Sequence, residues 1–127
     1  MRRIDQQAGQ TLIALLVFIS VAMMVTLASA AVALVNTRAN TAVSVADATL
    51  QAAESGVENA HMQLLRTPSY SGETMTVGDA TVTISVSGTT TKTIVSQATT
   101  GDYRRILTVS GTYSSNVLTI NSWSETP

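Results

Sequence analysis

The side chains with the capacity for chemistry are few, and their spacing decides what chemistry is open to them. His61 is the one histidine, and Glu58 precedes it by three residues. On a helix that spacing allows a weak intrahelical pair. A metal site needs more ligands than one imidazole and scattered carboxylates supply. Glu54 and Glu58 lie one helical turn apart, the spacing of a carboxylate pair that shares acid and base roles. An exposed helix face with no apolar pocket beside it offers no such site, so both read as a solvated face. Tyr103, Arg104 and Arg105, together with Lys92, are the candidates for a small basic patch touching DNA or a surface polysaccharide. The competing reading is a solvated strand edge, where positive charge blocks aggregation. No Ser-His-Asp order, phosphate-binding loop or Gly-rich nucleotide motif is present, so no enzyme and no cofactor is expected. There is no cysteine, which excludes a disulfide framework and a thiolate metal site.

The elements that carry these residues follow from the distribution of apolar and polar positions. The 127 residues give room for one domain at most. Hydrophobic residues make up 45 % of the chain, much of it in the first third. From Thr67 to Pro127 the composition turns polar, with 15 Thr and 10 Ser in 61 residues. That suits strands with a wet outer face and suits a buried catalytic cleft poorly. The net charge of −1 leaves no overall electrostatic footprint for nucleic acid or an anionic membrane.

Leu12 to Val35 is 24 residues without a charge, Pro or Gly. At about 1.5 Å per residue such a helix spans about 36 Å, enough for a hydrocarbon core of roughly 30 Å. A cleaved secretory signal has an apolar stretch of only about 7–15 residues, although Ala28-Ser29-Ala30 has the small residues of such a cleavage site. Arg2 and Arg3 precede the run; Arg38 follows it, with Asp47, Glu54 and Glu58 soon after. The positive-inside rule therefore predicts a cytoplasmic N-terminus with the remainder outside. Ser20, Thr26 and Ser29 interrupt the run. They are either packing points for neighbouring helices or passengers whose hydroxyls bond back to the preceding turn.

The helical period continues past the apolar run. Ala46, Leu50, Ala53, Val57, Ala60 and Leu64 recur at spacings of four and three, leaving Asp47, Gln51, Glu54, Glu58 and Gln63 mostly outside the stripe. Gly56 costs about 1 kcal/mol relative to Ala in such a helix, and Thr67-Pro68 ends it. The prediction is one helix from about Thr11 to Arg66, about 84 Å long at 1.5 Å per residue, whose second half presents a narrow stripe to a flat surface. Alanines at half of the seam weaken the coiled-coil alternative.

Beyond a linker at Pro68 to Gly72 the period changes to two. Ala80–Ser87 alternates, with Val82, Ile84 and Val86 on one face. Further runs are Thr93–Ser96, Arg104–Val109 and Asn116–Trp123, with turn signals at Gly88, Thr100-Gly101-Asp102 and Gly111 to Ser115. Thr74 to Val77 is a further short strand. Trp123 is expected to close the sheet against the helix, exposed adhesion being the alternative. A long helix followed by an antiparallel meander is an α+β architecture. The expected segments are residues 1–9, a leader; 10–36, a transmembrane helix; 37–66, an amphipathic helix; and 67–127, an antiparallel sheet domain.

The junction at Gly9 carries a resemblance. Gly9-Gln10-Thr11-Leu12-Ile13 resembles the processing site of type IV prepilins, whose usual form is Gly-Phe-Thr-Leu-Ile-Glu. Leu50-Gln-Ala-Ala-Glu-Ser-Gly-Val-Glu58 is similar to the Ala-Ala-Glu-Ala/Ser-Gly segment of PilX-like minor pilins, and so is the tail with Thr93–Ser96, Arg104–Thr108 and Asn121–Glu125. The resemblance implies the pilin fold and cleavage between Gly9 and Gln10 by a membrane prepilin peptidase, with methylation of the Gln10 amine. It further implies a single-pass precursor drawn by an assembly platform and motor into an extracellular filament, with its N-terminal helix packed among those of other pilin subunits. A glycine before the cut lets a peptidase approach the backbone closely. Such filaments serve adhesion, twitching motility or DNA uptake, with a host or cell surface or DNA as the ligand.

Ala14 stands where most pilins carry a glutamate. A mid-membrane carboxylate costs about 2.5–3.5 kcal/mol on insertion scales, so it is retained only for a purpose, a counter-ion to a neighbour's amine in pilins. Its absence implies either a minor, tip-associated subunit or a major pilin of a lineage that assembles by packing alone. A pseudopilin of a secretion or competence machine shares the same N-terminus. An uncleaved membrane-anchored binding protein is the reading from a different class.

Overall fold

The computed structural model describes the backbone from Ile4 to Thr126 and side chains from Gly9 onward. One helix, α1 (Ile4–Arg66), precedes five strands: β1 (Thr74–Val77), β2 (Ala80–Ser87), β3 (Thr91–Thr100), β4 (Tyr103–Ser114) and β5 (Val117–Thr126). The α+β architecture is therefore that of the sequence prediction. The helix begins earlier than the predicted Thr11, because Ile4 to Ala8 contains no helix breaker and Gly9 alone is too weak to stop propagation.

The chain divides into two units, one ending at Thr41 and the other beginning at Ala42. In the first, every described side chain from Gly9 to Thr41 is exposed, including Phe18, Met24 and Leu27. This part of α1 holds the stretch long and apolar enough to cross a membrane.

In the second unit the remainder of α1 packs on one face of the sheet. All neighbouring strands pair antiparallel in the order β1-β2-β3-β4-β5. Three connections are two-residue hairpins, the shortest link between antiparallel strands. Gly78-Asp79 and Gly101-Asp102 place glycine at the positive-φ position, at 59° and 57°. Ser115-Asn116 takes positive φ at both residues, 52° and 63°, as a type I′ turn does. The predicted turn at Gly111 to Ser115 is thus shorter and later. Gly111 lies inside β4 beside a register shift between Ser110 and Gly111, where a Cβ would come within 2.7 Å of the Thr119 carbonyl oxygen.

The core sits between the helix stripe and the inner sheet face. Ala53, Val57, Ala60 and Leu64 are buried as predicted, against Val82, Ile84, Ile94, Leu107 and Val109. Ala46 and Leu50 are only half-buried. The stripe instead widens to include Thr49, Ala52 and Gly56, all buried. Small residues let the helix approach closely: a Cβ at Gly56 would run into Ser96 Oγ and come within 2.7 Å of Val82 Cγ1. Ser96 Oγ donates to the Ala53 carbonyl at 2.8 Å, so a strand side chain bonds directly to helix backbone.

Candidate functional site

The residues singled out from the sequence fall into three places. The first is the N-terminal part of α1. Gly9 and Gln10 are helical and exposed, and a Cβ added at Gly9 would meet nothing within 4 Å. Ala14 is exposed on the same helix. Ser20 Oγ donates to the Leu16 carbonyl at 2.8 Å, Thr26 Oγ1 to Ala22 at 2.8 Å and Ser29 Oγ to Val25 at 2.9 Å. Each hydroxyl is satisfied within its own helix, which is how a polar side chain is tolerated in an apolar stretch. At about 100° per residue, Ser20 and Ser29 project from opposite sides while Thr26 lies nearer Ser29. The four packing candidates therefore do not form one face.

The second place is the helix–sheet contact already described. Sequence reasoning missed two of its members. Thr49 Oγ1 bonds the Val45 carbonyl at 2.8 Å and Thr100 Oγ1 at 2.9 Å, tying the helix to the end of β3. Its spacing from Ala53 would have placed it on the stripe, but its polarity argued otherwise. Lys92 is the other: it is 9 % exposed and donates from Nζ to the Pro68 carbonyl at 3.0 Å, fastening the linker to the sheet. Nearby, Asn59 Nδ2 and the Tyr70 hydroxyl both donate to Glu73 Oε1. Burial, with that carboxylate as hydrogen-bond partner and charge, pushes the Tyr70 phenol up to about 12.

The third place is the far end of the sheet, and here two expectations are corrected. Lys92 sits opposite Gly111, whereas Arg104 sits opposite Thr99. Seven residues of β4 separate those positions, about 23 Å at the rise of a strand, so no patch unites Lys92 with Arg104 and Arg105. Nor is β4 an edge strand: it lies between β3 and β5. Arg105 is committed to Glu125, Nη1 to Oε1 at 3.1 Å, and Arg104 points to solvent.

Trp123 is 49 % exposed and does not close the sheet. It pairs with buried Val109, so it lies on the helix-side face of β5, but β5 is the last strand and only its Leu118 is buried. His61 is half-buried, and the one ion pair among the described residues is Arg105–Glu125. Among the described residues no three His, Cys, Asp or Glu side chains gather closely enough to hold a metal ion.

An open groove of about 420 Å³ runs between α1 and the β1–β2 hairpin, lined by Val45, Gln51, Ala52, Val77 and Asp79 among others. It is shallow and holds a single carboxylate. No family model matches the chain, and no curated protein or solved structure is significantly similar to it.

Proposed function

We propose that this chain is a structural subunit of a type IV pilus, made as a single-pass membrane precursor and cleaved between Gly9 and Gln10. The observation that carries the reading is the division of labour along α1. From Gly9 to Thr41 the helix is uniformly exposed and largely apolar, while from Thr49 to Leu64 it buries a stripe of mostly small residues on an antiparallel sheet. A plain anchor needs only the first half, and a soluble α+β domain needs only the second. A filament subunit needs both, as does an uncleaved anchored domain, from which cleavage after Gly9 distinguishes it. The apolar halves pack together in the filament core after leaving the membrane, and the Thr-rich sheet faces form the outer surface. Ala14 removes the carboxylate that would cost insertion energy and supplies no counter-ion, which favours a minor, tip-associated position.

Mass spectrometry of the protein from its native membrane tests the reading. A mature chain starting at Gln10, methylated or not, is the expected result. A chain still starting at Met1 in cells with active prepilin peptidase overturns it in favour of an uncleaved anchor. Immunogold labelling then assigns the position: label at fibre ends for a tip subunit, along shafts for a major pilin, and no surface fibre label for a pseudopilin.

A further inference from the structure

The two edges of the sheet are unequal. β1 presents four residues to its open side, while β5 presents ten, without a proline or a lysine to block a further strand. One blunting device is present: the register shift between Ser110 and Gly111 leaves Asn121 as an extra residue on β5. Beyond it, Ser122 to Thr126 pairs regularly with β4 and leaves its other side open.

Both edges carry the same layout. On β5, Trp123 lies on the helix-side face and is 49 % exposed, while Ser122 and Ser124 lie on the outer face. On β1, Met75 and Val77 are half-buried on the helix side, opposite buried Val82 and Ala80, and Thr74 and Thr76 face outward. Each neighbouring pair of strands is antiparallel, so in a meander of five the first and last strands run in the same direction. A second copy displaced sideways, without being turned over, therefore sets its β1 parallel to β5. Apolar side chains then share one face and hydroxyls the other.

We propose that β5 takes up β1 of a second copy of this chain as a sixth, parallel strand, with Thr76 of the second copy level with Ser124. That register sets Met75 of the second copy beside Trp123 and its Thr74 beside Ser122. Charge selects this occupant. The β1–β2 turn of the second copy is carried past Thr126, which brings its Asp79 next to Arg104. β5 does not cover Arg104, because it pairs with β4 only as far as Ile106. Asp79 and Arg104 are both exposed, and neither is ion-paired within the chain, where the one ion pair among the described residues joins Arg105 to Glu125. The competing occupant, β5 of a second copy, pairs antiparallel about a two-fold axis and brings Arg104 toward the uncharged Ser115-Asn116 turn. Joining unlike edges leaves one β1 and one β5 free at the ends, so the contact repeats head to tail and builds an open array. It uses only residues of the second unit and holds whether or not the chain is cleaved after Gly9.

The chain has no cysteine, so introduced thiols report the contact without background. Thr76→Cys and Ser124→Cys stand at opposite edges, about 19 Å apart at the least across four strand spacings, too far for a bond within one chain. In the full-length chain in its native membrane, oxidation of the double variant by copper phenanthroline is expected to give a ladder of covalent multimers. Each single variant is expected to stay monomeric. A covalent dimer from Ser124→Cys alone overturns the proposal in favour of β5–β5 pairing. Monomer alone from the double variant, with the oxidant and with a short bis-maleimide, overturns it too and leaves β5 to a strand of another protein. Added to the double variant, Asp79→Arg is expected to reduce the multimers by about fivefold, the upper worth of an exposed ion pair, and Arg104→Asp to restore them. An undiminished ladder, or a loss that Arg104→Asp does not restore, overturns the register and with it the choice of occupant. A mature chain that keeps Met1 would sink the filament reading and leave this contact untouched.

Discussion

At Gly56 the helix lies so close to the sheet that a single added methyl is expected to have measurable consequences. Gly56→Ala gains helix propensity but must displace Ser96 Oγ and Val82 Cγ1. Overpacking of this kind costs about 1–3 kcal/mol, more than the roughly 1 kcal/mol that alanine returns, so the variant is expected to be less stable in urea denaturation. Pairing it with Ser96→Ala relieves one clash and is expected to recover part of the loss. Tyr70 makes a prediction in pH. Its phenol is raised from the ordinary 10.0 to about 12 by burial and by Glu73. The folded state therefore holds that proton more tightly than the unfolded chain does. The stabilisation is fully present below pH 10 and is lost as pH rises from about 10 through about 12. Tyr70→Phe is expected to flatten this part of the stability profile in thermal melts taken across that range. At this scale the sequence showed Gly56 only as a tolerated defect in a helix, because nothing local reveals which strand lies above it.

The elements were legible to different degrees, and the differences have physical causes. The strict alternation of Ala80–Ser87 matches β2 residue for residue, since a half-buried strand writes its period directly into the sequence. β3 and β4 extend beyond the predicted runs because antiparallel partners prolong each other through backbone hydrogen bonds that no side chain announces. Leu64 anchors the C-terminal turn of the helix stripe and is fully buried. Leu64→Ala is expected to cost about 2–5 kcal/mol, measured by chemical denaturation, with the far-UV signal of the remaining fold retained at low denaturant. Breaking the Arg105–Glu125 pair is a contrasting case. The two side chains are 28 % and 38 % exposed, so Glu125→Gln is expected to change stability by less than about 1 kcal/mol. The basic patch could not have been judged from sequence, because strand register decides that Lys92 lies opposite Gly111, far from Arg104.

For the whole molecule, every buried side chain among the described residues lies between Thr49 and Leu118. The core is therefore contained in the unit that begins at Ala42. Residues 42–127 expressed alone are expected to be soluble and to unfold cooperatively, checked by circular dichroism and by exchange protection of β2, β3 and β4. A fragment that stays unfolded would show that the apolar part of α1 stabilises the sheet. The sequence by itself determined the long helix, its apolar first half, the small-residue stripe and the change of period after Pro68. These are local or periodic properties, carried by residue type and spacing alone. Only the tertiary structure decided that Trp123 stays exposed, that Lys92 turns inward to Pro68, that Thr49 joins the core, and that Gly56 has a packing role while Gly9 has none. Each of those depends on which strand lies beside which and how far the helix covers the sheet, and such long-range placement leaves no mark in the spacing of neighbouring residues.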